Sequence, residues 1–250
     1  MRRWVRGARR RSHRILRPVL AAGALISCVS CASSGSVTVP HILPFAIPPV
    51  LWTELFDTVD AGRWRNVEVD GHTRYEAVTL DGRKCLKADS QAGASILLTE
   101  ARFDPEQYEW LSWAWRVDQL NEAEDLTTKD GSDAAARVYV YFDTGGLPWQ
   151  KRNLDYVWSA HLPVDTVLTS AYSDNSKMIV VESGAEHLGQ WRTVERNLED
   201  DYERVFGKAK KLPKVAAIGI MTDTDNTKAN ALAYYDDLAI TNERPSGKRR

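Results

Sequence analysis

Arg137, Tyr139, Tyr141 and Asp143 alternate with the apolar Val138, Val140 and Phe142. A period of two sends these sets to opposite faces of a strand. One face then carries a guanidinium, two phenols and a carboxylate, where an ordinary sandwich strand shows only solvated groups. Aromatic planes accept the C–H faces of sugar rings, and Arg or Asp side chains bond the hydroxyls, so the combination suits a saccharide or a similarly polar ligand. Trp149 follows Gly145-Gly146-Leu147-Pro148 and is expected as a surface aromatic beside that face. Arg116 joins the group if its strand neighbours that of Arg137. Arg116, Arg137 and Asp143 then form either an ion pair within the sheet or the floor of a pocket. The shared aromatic and polar face favours the floor.

A second concentration of oxygen donors is Asp223-Thr224-Asp225-Asn226-Thr227. Asp223, Asp225 and Asn226 are the ligand types a structural calcium takes. The spacing is not that of an EF-hand, because Lys228 stands at the sixth position and Tyr234 at the twelfth. The alternative is an Asx turn, in which short polar side chains satisfy local backbone groups. The acidic stretch from Glu122 to Asp133 offers the same chemistry, but its length and Lys129 favour a solvated, mobile loop.

Catalytic templates fail one after another: there is no Gly-x-Ser-x-Gly elbow, His-Glu-x-x-His, phosphate loop or dinucleotide fingerprint. His41, His72, His161 and His187 are too scattered for a local metal motif. A glycan-active hydrolase or lyase needs two carboxyls facing each other across a cleft, a distance the sequence does not give. That alternative stays open, as does a structural partner in an envelope complex.

These residues need a scaffold, and from residue 51 the chain is written in strands and turns. Leu111, Trp113, Trp115 and Val117 alternate with Ser112, Ala114, Arg116 and Asp118, and Asp70-Gly71, Asp81-Gly82 and Asp130-Gly131 punctuate the text. Further strands fit Ala94 to Phe103, Leu154 to Ala160, Lys177 to Glu182, Gln190 to Arg196, Val215 to Thr222 and Ala231 to Thr241. One helix is expected, with Leu198, Tyr202, Val205 and Phe206 at the 3.6-residue period, Asn197 as its cap and Gly207 as its stop. About ten strands without βαβ alternation predict an all-β fold, a two-sheet antiparallel jelly-roll-like sandwich with one short helix.

The amino end is of another kind. Residues 1–27 carry eight arginines and no acid, ending in an apolar run from Val19 to Val29 that suits a signal peptide and is too short to span a bilayer. Leu25-Ile26-Ser27-Cys28 resembles the lipobox of bacterial lipoproteins, which implies acylation of Cys28 and a membrane partner through the lipid anchor. Val29, which is not aspartate, implies outer-membrane sorting and a periplasm-facing protein. Residues 28–50, rich in Ser and Pro, read as an extended tether, residues 51–242 as the sandwich, and 243–250 as a polar tail. After the leader, 25 basic side chains face 34 acidic ones, a balance that argues against nucleic acid as a partner. With three cysteines in 250 residues, no disulfide scaffold is expected, and Cys85 reads as a small buried residue.

Taken in order, Trp113-Ala-Trp115-Arg116, Ala136 to Asp143, Met178 to Gly184, Trp191 with Glu195-Arg196-Asn197, and Ile220 to Thr227 resemble the bacterial domain-of-unknown-function family DUF3047 over about residues 52–241. The resemblance implies a fold and no chemistry. The closing Tyr234 to Ile240 is similar to the last strand of carbohydrate-binding jelly-roll modules, which implies a calcium-binding acid there.

Overall fold

The computed structural model describes residues 48–145 and 151–245. The strands in chain order are β1 (Val50–Glu54), β2 (Trp64–Asp70), β3 (Arg74–Leu80), β4 (Arg83–Gln91), β5 (Ala94–Phe103), β6 (Trp110–Gln119) and β7 (Ala136–Phe142). They continue with β8 (Asn153–Ser159), β9 (Val167–Ser170), β10 (Ser173–Ser183), β11 (Arg192–Asn197), β12 (Val215–Met221) and β13 (Asn230–Thr241), with α1 (Leu198–Phe206) after β11. One sheet has the order β11-β6-β13-β4-β3 with β1 added to β13, and the other runs β2-β5-β12-β7-β8-β10-β9. The expected all-β sandwich is therefore present. Every pairing is antiparallel except β8 with β10, which is parallel. No helix among the described residues is long and apolar enough to cross a membrane.

The alternation in β6 buries Leu111, Trp113, Trp115 and Val117 between the sheets. Trp113 and Trp115 meet edge to face, with ring centroids 5.4 Å apart. Each also contacts the opposite sheet, Trp113 at 5.3 Å from Tyr156 and Trp115 at 5.9 Å from Trp158. Rings of this size remove much apolar area from water, which is what holds the two layers together. Asp81 and Gly82 both have positive φ, as a two-residue hairpin between right-twisted strands requires, and close β3 onto β4. The helix begins where its cap was expected: the Asn197 side chain accepts from the amides of Glu199 and Asp200. Cys85 is fully buried, and that burial pushes its thiol up to about 11. Cys28, the leader expected over 1–27 and the tether expected over 28–50, as far as residue 47, lie outside the described residues, and Val50, the last tether residue, already opens β1.

Candidate functional site

Val138, Val140 and Phe142 of β7 enter the core, so Arg137, Tyr139 and Tyr141 stand on the outward face of the seven-stranded sheet. The register sets Tyr139 opposite Asp155 of β8 and opposite Gly219 of β12, and Tyr141 opposite Asn153. The two tyrosine rings stack, with centroids 5.6 Å apart and planes 20° from parallel. Gly219 makes room for them: a Cβ there would lie 2.9 Å from Ile96 Cγ2 and 3.4 Å from Tyr141 Cε2. Over this face opens a cavity of about 290 Å³, walled by the tyrosine pair, Ile96, Asp225 and, at its rim, the exposed Val69 and Tyr172. Burial raises the pKa of both stacked phenols, so they remain neutral hydrogen-bonding groups.

Arg137 forms the base of one wall and is almost wholly buried. Its Nη1 donates to Asp155 Oδ2 at 2.6 Å, its Nε to Asp223 Oδ1 at 2.9 Å and its Nη2 to the Ser132 carbonyl at 2.9 Å. Burial opposes its charge, yet the Asp223 and Asp155 carboxylates hold its pKa above the ordinary range. Burial acts oppositely on the acids, raising Asp155 and pushing Asp223 up to about 7 against the pull of Arg137. Asp155 Oδ1 is buried without a hydrogen-bond partner.

The opposite sheet locks this corner in place. The Tyr235 hydroxyl, reaching from β13, donates to the Met221 carbonyl at 2.7 Å and accepts from the Arg137 amide at 3.2 Å. One phenol thus ties the start of β7 to the end of β12.

The 223–227 loop meets the acidic loop at the same corner. Carboxylate oxygens of Asp133, Asp223 and Asp225 lie within 4.8 Å of one another, a spacing that admits a cation. The donor set weighs the other way. Asp133 Oδ1 accepts from the Asn226 amide and side chain, and Oδ2 from the Thr227 amide, the Thr227 hydroxyl and Asn121. Although burial opposes ionisation, these donors hold the Asp133 carboxyl below its usual range. Five hydrogen bonds use the lone pairs a metal would need, and Arg137 already faces Asp223. The geometry favours an Asx-type turn built around Asp133.

Several expectations are corrected. The stretch from Glu122 to Asp133 is solvated only in part: Glu124, Leu126, Ser132 and Asp133 are buried, while Asp125 and residues 127–130 are exposed. Leu126 and Ala134 pack on Val157 and Met178 as a small second core on the outward face. Arg116 belongs to the other sheet, because β6 and β7 are not neighbours; it pairs with Asp118 at 2.6 Å and Asp81 at 3.0 Å. Asp143 lies past the end of β7, exposed and paired with Lys151 at 2.7 Å, away from the cavity. On the closing strand Asp236 faces a cation already in the chain, Arg83 at 2.5 Å, whose guanidinium lies 4.0 Å over the Trp191 ring. Trp149 falls outside the described residues. Asp155 and Tyr172 are site residues that sequence reasoning missed, and Asp133 was read only as the end of the acidic stretch. Asp155 sits inside an apolar strand, and Tyr172 in a short turn that carries no motif.

The model of the family described as "Protein of unknown function (DUF3047)" matches residues 62–239. The chain belongs to the DUF3047 family. Solved structures with a related chain course include Cip1, a cellulose-induced protein, at 10% identity and a TM-score of 0.45, covering 77% of this chain and 97% of its own. A family 30 carbohydrate-binding module of a Clostridium thermocellum cellulosomal cellulase matches at 11% identity and a TM-score of 0.42, over 76% of this chain and 98% of that one. A family 11 module from the same organism matches at 10% and 0.39, over 76% and 94%. The sequence matches no curated protein. Identities this low extend no ligand to the DUF3047 chain.

Proposed function

We propose that this DUF3047 domain binds a saccharide, or a ligand equally rich in hydroxyls, in the cavity on the outward face of the seven-stranded sheet. The observation that carries the reading is the stacked Tyr139–Tyr141 pair, only partly buried, in a wall that sets hydrogen-bonding groups beside the apolar Val69, Ile96 and Met221. Sugar C–H faces pack on such rings while Asn153, Ser173 and Asp225 meet the hydroxyls. In the same reading the protein is exported and held by acyl chains on Cys28, at the periplasmic side of the outer membrane. The lipobox resemblance supports that part.

Affinity electrophoresis and calorimetry against a panel of envelope and plant glycans test the binding. Retention by the wild-type protein and its loss in Tyr139→Ala are expected; equal behaviour of the two would sink the assignment. The same mixtures, analysed for shortened oligosaccharides, are expected to show no cleavage. Labelling with a radioactive fatty acid tests the anchor, with label expected on the wild type and absent from Cys28→Ala.

A further inference from the structure

We propose that the cavity selects a saccharide bearing a free ammonium group, an unacetylated amino sugar, over neutral, acetylated or acidic ones. This rests on the saccharide reading above and deepens it.

The charges in the wall do not balance. Asp155, Asp223 and Asp225 line the cavity with one cation, Arg137. That guanidinium is turned to the protein, with Nε on Asp223, Nη1 shared between Asp155 and Met178 Sδ, and Nη2 on Ser132. It is therefore spoken for, and an anionic ligand would meet carboxylates in place of a free arginine. Asp225 accepts only one long hydrogen bond, 3.4 Å from Asn226 Nδ2. Asp155, 1% exposed and opposite Tyr139 on the cavity side of β8, has one oxygen without a partner at ordinary hydrogen-bond geometry, with only the Tyr139 hydroxyl interacting weakly with the carboxyl from that side. A buried acceptor without a donor costs free energy that a ligand N–H can recover.

Asp223 Oδ1 already accepts from Arg137 Nε and the Ala134 amide, which leaves its other oxygen to act with Asp225. The two carboxyls have oxygens within 4.8 Å of each other, close enough for one nitrogen to reach both groups at about 2.8 Å. An ammonium has three donors, makes charge-assisted bonds to carboxylates, and is attracted to the faces of aromatic rings such as the tyrosine pair beside it. A hydroxyl offers one donor and no charge, and an acetamide keeps a single N–H.

The test is calorimetry at neutral pH, where the Asp223 carboxyl, raised by burial to about 7, can still ionise against an incoming ammonium, with the full-length protein and three β-1,4 trimers: glucosamine, N-acetylglucosamine and glucose. The glucosamine trimer should bind about ten-fold tighter than the other two, Asp225→Asn should remove that margin, and Tyr139→Ala should weaken all three. Equal affinity for the three trimers would overturn the selectivity and leave the saccharide reading standing. Binding of none of them or of any glycan in the wider panel would overturn both. Tighter binding of a uronate trimer, or displacement of the glucosamine trimer by millimolar calcium, would also overturn the ammonium assignment.

Discussion

Gly219 lies diagonal to Tyr141 on the neighbouring strand, so close that a single methyl on the glycine would stand 3.4 Å from the tyrosine Cε2, with Ile96 Cγ2 nearer still at 2.9 Å. Ile96 is β-branched and has few ways to yield. Gly219→Ala is expected to shift Ile96 and tilt the stacked rings, costing about 1–3 kcal/mol in urea unfolding and weakening ligand binding more than Ala substitutions elsewhere on β12. A variant with wild-type stability and wild-type affinity would show that the close approach is unimportant.

Arg137 is the positive member of a buried triad. Removing one partner from such a set leaves uncompensated charge in a water-poor place, at a typical cost of about 3–5 kcal/mol. Arg137→Met should therefore destabilise strongly, whereas Arg204→Met, at an exposed pair with Asp165, should cost about 1 kcal/mol or less. Denaturant midpoints of the two variants decide it, and similar losses would count against the triad.

Acidity gives an independent check. Burial pushes the Asp223 carboxyl up to about 7, well above the ordinary value that the unfolded chain shows. Between those values the folded protein holds a proton that the unfolded chain has released, so this group's contribution to stability declines as pH rises toward 7 and is recovered on acidification. Asp155 and Glu124 are raised by burial in the same sense. The stability of Asp223→Asn should depend less steeply on pH between about 4 and 7 than that of the wild type; parallel curves would contradict the shift.

Asp133 serves the turn, and calcium is expected to add little. Millimolar calcium should leave the melting temperature unchanged, while Asp133→Ala should lower it by several degrees, because the Asn226 and Thr227 amides lose their acceptors. A calcium-dependent rise would reverse that reading.

The helix offers a local control. Asn197→Ala is expected to cost about 1 kcal/mol, since its side chain caps two amides and donates to Glu109. Ligand binding should be untouched, since no helix residue lines the cavity.

What the sequence disclosed follows from range. The alternation in Leu111 to Val117, the Asn197 cap and the Arg137-Tyr139-Tyr141 face are properties of a few consecutive residues, and each was legible. Asp155 was hidden because a strand buried on both faces has no polar period to mark it. Whether β6 and β7 are neighbours depends on pairing between distant segments, which alternation does not encode, and so Arg116 and Asp143 were wrongly grouped with Arg137. The contact of Asp133 with Asn226 and Thr227 likewise joins loops more than ninety residues apart. The short edge strand β9 was missed for want of a clean apolar side.

The small cluster of Leu126, Ala134, Val157 and Met178 clamps one loop to the sheet before any guest arrives. Under the proposed saccharide reading, a wall already in place asks little rearrangement of the host, so entry would be near rigid-body. Tighter ligands would then be sought in slower departure more than in faster arrival.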